Sequence, residues 1–164
     1  MNIIVKNNTL WFDGKTYQCA VGKSGFTHEK IEGDNKTPIG KFPLREVFYR
    51  SDKVAKPASI LSTHITTPDD GWCDAPGDKN YNRRIKLPYP VSHENLWRAD
   101  DIYDVIVPMG YNDQPVIPGK GSAIFMHVAR PGYAGTEGCV ALALPDLLEV
   151  LSKIDNTTEI IIES

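Results

Sequence analysis

The sequence predicts a single, mostly β domain with one main α-helix. Short apolar runs, separated by turns rich in glycine, proline and asparagine, recur along the chain, as is typical of β proteins. Only one segment, near the C-terminus, has the apolar spacing of an amphipathic helix. The 164 residues are enough for one domain with a real core, and no repeat, low-complexity segment or linker divides residues 1–164.

The first third of the chain is predicted to form short strands joined by turns. The hairpin signal Asp13-Gly14 stands between two apolar runs, and such a dipeptide favours a two-residue β-turn. A cluster of turn-forming residues at 33–40 precedes the last strand of this part. The predicted strands cover residues 2–6, 10–12, 16–21 and 41–49.

The middle of the chain is the least regular part. Residues 51–100 contain five prolines, and long loops in a compact domain usually serve a site. After them the helix is predicted over 145–154, with a proline in its first turn and an apolar face that includes Leu147 and Leu151. The remaining predicted strands cover residues 104–107, 122–128 and 159–163.

Charge and hydropathy exclude several classes of partner. The net charge of −3 gives no reason to expect binding to nucleic acid or to an anionic membrane. No apolar run approaches the ~20 residues that cross a bilayer, so membrane insertion is not expected. The first nine residues lack the apolar segment of ~7–15 residues that a secretory signal needs, which predicts a cytoplasmic location. Nothing in the sequence specifies an oligomeric state.

The three cysteines match no disulfide framework and no zinc-binding pattern, so we expect neither a metal nor another cofactor. A reduced compartment suits such a chain. Cys19 lies in a predicted strand and is expected in the core, whereas Cys73 lies in a polar loop and could be exposed.

The segment 127–142 is the most informative part of the sequence. Cys139 follows a glycine in a turn-rich loop, twelve residues after His127, which ends an apolar run. A thiol needs a nearby base because the thiolate is the reactive form. A glycine before the cysteine lets backbone N–H groups converge on one point, as an oxyanion site requires. Spacing alone leaves two interpretations open: a nucleophile with its base, or an inert buried cysteine and an unrelated histidine.

Two segments resemble the L,D-transpeptidase (YkuD-type) catalytic domain family. The stronger one has the family's order of apolar strand, histidine, variable loop and Ser/Thr-x-Gly-Cys, the last part being Thr136-Glu-Gly-Cys139. The second, Gly33-Asp-Asn-Lys-Thr-Pro-Ile-Gly-Lys-Phe42, is similar to the family's Gly-Asp-x-x-Thr-Pro-x-Gly-x-Phe element. The resemblance implies a β-sandwich-like fold with its helix after the catalytic cysteine loop. It also implies acyl transfer through a cysteine thioester on peptidoglycan stem peptides.

The resemblance also implies roles for individual residues. Cys139 becomes the nucleophile and His127 its base, and the carbonyl of Val128 becomes the group that orients the imidazole. The backbone N–H groups of Glu137, Gly138 and Cys139 become the oxyanion hole.

At two positions the sequence departs from the common motif. Glu137 stands where the motif has histidine, and a nearby carboxylate tends to raise a thiol pKa. Ala141 stands where many members have Arg or Asn, so another residue must bind a substrate carboxylate. Arginine suits this role because it binds carboxylates bidentately, although a surface ion pair is the commoner role for any one arginine. The candidate substrate-binding residues are Arg83, Arg84, Trp97, Arg98, Tyr111, Asn112 and Arg130.

The loops around these candidates resemble those of a branch without export signals that includes cytosolic L,D-carboxypeptidases of peptidoglycan recycling. The leading hypothesis is therefore a hydrolase that removes the terminal D-alanine from stem tetrapeptides, either free or as sugar-linked muropeptides. The alternatives are an L,D-transpeptidase that forms 3→3 cross-links or exchanges D-amino acids, and a non-catalytic peptide-binding domain.

Overall fold

A computed structural model describes all 164 residues and confirms the mostly β fold class with one α-helix, α1 (Leu144–Lys153). A short 3-10 turn covers Pro131–Tyr133. The strands are β1 (Ile3–Lys6), β2 (Thr9–Phe12), β3 (Lys15–Gln18), β4 (Phe26–Thr27), β5 (Thr37–Pro38), β6 (Gly40–Pro43), β7 (Val47–Tyr49), β8 (Thr63–Ile65), β9 (Asp70–Cys73), β10 (Arg84–Lys86), β11 (His93–Asn95), β12 (Val105–Pro108), β13 (Phe125–Val128), β14 (Val140–Leu142) and β15 (Glu159–Glu163).

Two five-stranded sheets enclose the main core. The first has the order β3-β2-β1-β15-β6 and the second the order β14-β13-β12-β7-β8. In β1 the side chains alternate, so that Ile3 and Val5 are buried while Ile4 and Lys6 face outward. The main core joins apolar residues of both sheets and of α1. None of the helical segments has both the length and the apolar character needed to span a lipid bilayer.

The central strands of the second sheet are buried on both faces. In β12, Val105 and Val107 point into the main core, while Ile106 belongs to a second apolar cluster on the opposite face. In β13, Phe125 also belongs to this second cluster. A three-stranded sheet, β10-β9-β11, covers that face, and Trp72 of β9 packs edge-on against Phe125 at 5.0 Å between ring centroids. The candidate site lies between these layers.

The structure divides the strand that the sequence predicted over residues 41–49. Its first half, β6, pairs with β15 in the first sheet, and its second half, β7, pairs with β12 and β8 in the second. The chain therefore crosses between the sheets after Pro43. A proline has no N–H for a ladder hydrogen bond and is found at strand ends, which accounts for the break.

Two other predicted strands are shorter than expected. The strand predicted over 122–128 begins at Phe125, because Ala123 has a positive φ of 54° that no strand accommodates. The strand predicted over 16–21 ends at Gln18, after which Ala20 forms an isolated bridge to Ala141 of β14. The irregular region 51–100 contains four short strands, and Cys73 in β9 is fully buried rather than exposed.

The core contact of α1 gives a test of the fold. Leu147 is fully buried between the helix and the sheets. We expect Leu147→Ala to lower the free energy of unfolding by about 2–5 kcal/mol, because it removes apolar burial and leaves a cavity. Urea denaturation measures this change. Ser152→Ala, at an exposed position of the same helix, should change stability by less than about 0.5 kcal/mol. Equal effects of both substitutions would contradict the packing described.

Candidate active site

Cys139 and His127 line the same cavity of about 670 Å³. Strand β13, which contains His127, pairs in parallel with β14, and Cys139 immediately precedes β14. The register aligns Met126 with Val140, which places Phe125 beside Cys139. Because side chains alternate along a strand, His127 and Cys139 emerge on the same face, away from the main core.

The position of the Cys139 thiol is fixed by two backbone contacts. Its Sγ accepts a hydrogen bond from the N–H of Phe125 at 3.4 Å and donates to the carbonyl of Ala123 at 3.2 Å. Burial raises the pKa of this thiol to about 12, and the carboxylates of Glu94 and Glu137 act in the same direction. The side chain of Cys139 is therefore a neutral thiol at neutral pH.

The imidazole of His127 is held in one orientation. Its Nδ1 lies 2.9 Å from the carbonyl oxygen of Val128, so Nδ1 carries the proton and Nε2 is left with a free lone pair. The edge of the Tyr103 ring packs against it at 5.5 Å between centroids. Burial lowers the pKa of His127 to about 4, and the positive charges of Arg130 and Arg98 contribute. The neutral imidazole can therefore accept a proton as a base. It does not form an ion pair with a thiolate in the resting state.

The loop before Cys139 is closed by the buried side chain of Thr136. Its Oγ1 donates to the carbonyl of Cys139 at 2.7 Å and accepts from the N–H of Gly138 at 3.1 Å. The Gly138 N–H is therefore already engaged. The N–H groups of Glu137 and Cys139 donate to no group of the protein, which leaves two of the three predicted donors free for an oxyanion.

Comparison with known families agrees with this geometry. The family model described as the YkuD L,D-transpeptidase catalytic domain matches residues 2–162. The chain belongs to this family. Members of the YkuD family are cysteine-dependent enzymes that act on peptidoglycan. Searches of curated proteins and of solved structures found no significant match.

Two of the predicted substrate-binding arginines line the cavity that contains Cys139 and His127 in this YkuD domain. Arg98 is already neutralised, because its guanidinium makes two hydrogen bonds of 2.8 Å to the carboxylate of Asp100. Arg130 is exposed at the cavity and forms no ion pair within the chain. Ala141, one of the two positions at which the sequence departs from the common motif, is fully buried beside β13. Arg130 is thus the predicted arginine best placed to bind a substrate carboxylate.

The other predicted binding residues lie outside this cavity. Arg83 and Arg84 line a separate one of about 510 Å³. Trp97 is stacked under the guanidinium of Arg50 at 3.4 Å, which anchors its loop. The Tyr111 hydroxyl donates to the carbonyl of Lys120, and the Asn112 amide bonds to backbone groups between 117 and 121, so both organise a loop.

Other charged residues of the cavity were not singled out from the sequence. Lys30 and Glu32 come just before the Gly33-Asp34 element that resembles the family motif, and this proximity was the only local signal. Asp74 and Glu94 lie in the irregular region, where no periodicity marks them. Nowhere in the structure do three or more His, Cys, Asp or Glu side chains lie close enough together to hold a metal ion.

Glu94 is the most perturbed carboxyl group of the site. Burial raises its pKa to about 7, and the negative charges of Glu137 and Asp74 raise it further. The Tyr103 hydroxyl, which donates a hydrogen bond of 3.0 Å to the carboxylate, acts in the opposite direction and lowers the pKa. Glu94 is half-buried, and a carboxyl group whose pKa is raised by desolvation is typical of functional sites.

The shape of the nucleophile loop gives a first prediction for the site. Gly138 has φ of +138°, and a Cβ there would lie 2.8 Å from the carbonyl oxygen of Lys36. We expect Gly138→Ala to displace Cys139 and to reduce its acylation by a carbapenem at least tenfold, since a misplacement of about 1 Å can reduce a rate by ~100-fold. Mass spectrometry of the intact protein measures the acylation. Gly77→Ala, where a Cβ meets open space, should leave the rate unchanged.

The raised pKa of Glu94 predicts a pH-dependent stability. The unfolded chain ionises this carboxyl above about 4.5, whereas the folded protein retains the proton until about pH 7. Because the unfolded chain ionises at lower pH than the folded protein, the free energy of unfolding falls as the pH rises through this window. Glu94 therefore destabilises the fold at pH 8 and not at pH 4. We expect Glu94→Gln to raise the free energy of unfolding at pH 8 by about 1–3 kcal/mol.

Denaturation at pH 8 and at pH 4 tests this expectation. The exposed Glu29→Gln makes the same change in net charge and should have little effect at either pH. A Glu94→Gln variant that is no more stable than the wild type at pH 8 would show that the carboxyl group is not destabilised by its surroundings.

Proposed function

We propose that this YkuD domain is an L,D-carboxypeptidase that removes the terminal D-alanine from peptidoglycan-derived tetrapeptides through a thioester acyl-enzyme. The proposal rests on one observation above all: a thiol, an imidazole with a free Nε2 and two free backbone N–H groups meet at a single cavity. These are the nucleophile, the base and the oxyanion donors that acyl transfer requires.

The proposed acylation step transfers one proton and replaces one bond. As Sγ of Cys139 attacks the carbonyl carbon of the L-centre residue, Nε2 of His127 takes the thiol proton. The oxyanion accepts hydrogen bonds from the N–H groups of Glu137 and Cys139, each worth about 3–4 kcal/mol in comparable sites. The C–N bond then breaks, the imidazolium protonates the amine, and D-alanine leaves.

Hydrolysis of the thioester returns the enzyme to its starting state. A water molecule attacks the acyl carbon while His127 takes its proton, the C–S bond breaks, and the imidazolium returns the proton to Sγ. The tripeptide product leaves with a new carboxylate. The carbonyl of Val128 keeps Nδ1 protonated throughout, so that Nε2 serves both steps.

The character of the cavity supports water as the acceptor. Eight of its lining residues are charged, four basic and four acidic, and only four of the eighteen are hydrophobic. A polar cavity admits water to the thioester, whereas efficient aminolysis requires that water be excluded. The description of the matching family favours the second candidate, an L,D-transpeptidase in which an amine resolves the same acyl-enzyme.

A role in wall recycling is part of the proposal. A cytoplasmic enzyme would encounter tetrapeptides and muropeptides recovered from the wall, and not the cross-linked wall itself. Cell fractionation with an antibody to the native protein tests this location.

Mass spectrometry of the protein after brief exposure to a tetrapeptide tests the chemistry. We expect a mass increase on Cys139 equal to the tripeptide acyl group, together with released D-alanine. Tripeptide as the main final product supports the hydrolase. A 3→3 cross-linked dimer, or D-amino-acid exchange faster than hydrolysis, would instead support the transpeptidase. If no adduct forms, the result supports the third hypothesis, a peptide-binding domain without catalytic activity.

Substitution of the two central residues gives the matching kinetic prediction. We expect Cys139→Ala to abolish release of D-alanine and His127→Gln to reduce it by at least ~10³-fold, because each removes a group that acts in every step. Coupled detection of D-alanine measures the rate. Cys73→Ala and His64→Gln change the same residue types outside the cavity and should retain most of the activity. Full activity in Cys139→Ala would exclude the mechanism.

A further inference from the structure

The chain enters β13 through a buried segment that does not have strand geometry. The residues Gly121, Ser122 and Ala123, here called the 121–123 segment, are all buried, and none of their backbone groups bonds to another backbone group. Ala123 has a φ of +54°, a left-handed conformation in which the Cβ atom crowds the following carbonyl oxygen. An alanine keeps such a conformation only where its surroundings hold it, and residues held in this way are concentrated at functional sites.

Side chains from another part of the chain replace the missing backbone contacts. The N–H of Gly121 donates to the hydroxyl of Tyr81 at 3.0 Å, and this hydroxyl donates in turn to the carboxylate of Glu32 at 2.7 Å. The N–H of Ala123 donates to Oδ1 of Asn82 at 3.0 Å. Two consecutive residues, Tyr81 and Asn82, therefore hold the two ends of the 121–123 segment.

The side-chain amide of Asn82 uses its full hydrogen-bonding capacity. Its Oδ1 accepts a second hydrogen bond, of 3.0 Å, from the indole N–H of Trp72. Its Nδ2 donates to the carbonyl oxygens of Tyr111 at 3.1 Å and of Asn112 at 2.8 Å. With two bonds accepted and two donated, the amide of this buried residue has one orientation and no group left to bind a ligand.

The conformation of Ala123 determines where its carbonyl points. This carbonyl accepts the hydrogen bond of 3.2 Å from Sγ of Cys139, so the sulfur is held between it and the N–H of Phe125. Asn82 is therefore connected to the reactive sulfur through a single residue. Asn82 does not line the cavity of Cys139 and lines the separate one of about 510 Å³ instead, so its effect on the nucleophile is indirect.

We propose that Asn82 is a positioning residue for the nucleophile: by holding Ala123 in the left-handed conformation, it keeps the Ala123 carbonyl against Sγ of Cys139. The inference rests on the part of the proposed function that makes Cys139 the nucleophile, and it holds with either water or an amine as the acyl acceptor. A carbonyl oxygen accepts a hydrogen bond from a thiol but not from a thiolate. The same contact therefore favours the protonated form of Cys139 in the empty cavity.

Loss of this contact has two opposing effects on the reaction. The thiolate forms more easily, because no carbonyl oxygen faces the sulfur. The sulfur is also free to leave its position, and a misplacement of about 1 Å can reduce a rate by ~100-fold. The second effect is the larger for a reaction that needs a substrate bound in the cavity, whereas a small alkylating reagent responds to the first.

Three variants separate the functions of the amide. Asn82→Gly removes the amide and retains a residue suited to the φ of +57° at this position. Asn82→Asp keeps an oxygen that accepts from Ala123 and Trp72, but it cannot make both donations to the carbonyl groups. Asn7→Gly is the matched control, because Asn7 also has a left-handed φ, of +54°, and is exposed in the turn between β1 and β2.

Acylation of Cys139 by a carbapenem is the first measurement. We expect Asn82→Gly to lower the limiting rate at least about tenfold, while the concentration that gives half of this rate changes less than about threefold. Asn82→Asp should keep the limiting rate within about threefold of the wild type, although its midpoint of thermal unfolding falls. Asn7→Gly should match the wild type. Mass spectrometry of the intact protein at several carbapenem concentrations measures both constants.

Equal losses in Asn82→Gly and Asn82→Asp would overturn the inference, because the donations to the carbonyl groups and not the bond to Ala123 would then matter. Circular dichroism establishes that the variants are folded. If Asn82→Gly does not fold, Asn82→Asp still decides the question. A limiting rate close to that of the wild type supports the inference, and a loss of about tenfold or more contradicts it.

A substitution at Ala123 tests the route by which Asn82 acts. Glycine adopts a positive φ without the crowding that alanine experiences, so it depends less on being held. We expect Asn82→Gly to lower the acylation rate less than about threefold when it is introduced into Ala123→Gly, against at least about tenfold in the wild type. The same factor in both backgrounds would contradict the proposed route.

Alkylation by iodoacetamide decides the positioning independently of the proposed function. We expect Cys139 of Asn82→Gly to react at least ~3-fold faster than that of the wild type at pH 8, and Asn82→Asp to react no faster than the wild type. Peptide mapping distinguishes Cys139 from Cys19 and Cys73. An unchanged rate in Asn82→Gly would refute the inference. If neither a tetrapeptide nor a carbapenem acylates the wild type, the proposed function fails, and the alkylation rates still decide the positioning.

Discussion

The parallel pairing of β13 with β14 is the constraint on which the site depends. It brings together two residues that are separated by a turn-rich loop, and its register determines which face each side chain occupies. A shift of one residue in β14 would turn Cys139 toward the main core while His127 stayed on the other face. The isolated bridge from Ala20 to Ala141 fixes the outer side of β14, so the first hairpin helps to set this register.

The site combines stable backbone geometry with unfavourable burial of ionisable groups. Thr136 and the carbonyl of Val128 hold the loop and the imidazole with well-formed hydrogen bonds. The same enclosure keeps the thiol protonated and raises the pKa of Glu94. The large core between the two sheets supplies the stability that these groups reduce. Such a division between a stable scaffold and a strained site is common in enzymes.

The sequence predicted the elements whose signals are local. The alternating strands and the helix with Pro145 in its first turn follow from short patterns, and the structure confirms these elements. The sequence prediction missed the break after Pro43 because apolar residues stand on both sides of it, and only the pairing partners show that the chain changes sheets.

The rest of the site depends on contacts that are remote in sequence. Glu94 lies in β11 and Asp74 directly follows β9, and only the three-stranded sheet brings them to the cavity. The arginines illustrate the same limit. The partner of Arg98 is its sequence neighbour Asp100, but only the fold shows that Arg130 lines the cavity of Cys139 and that Arg84 faces another one.

The place of β15 has a consequence for biosynthesis. This strand, residues 159–163, is inserted between β1 and β6, so one strand of the first sheet is synthesised long after both of its neighbours. Until it leaves the ribosome, β1 and β6 have no common partner and the apolar faces of Ile3 and Val5 stay uncovered. The first sheet therefore stays open until residues 159–163 have been made, and a nascent chain that stalls before them exposes the edges of β1 and β6 to chaperones and proteases.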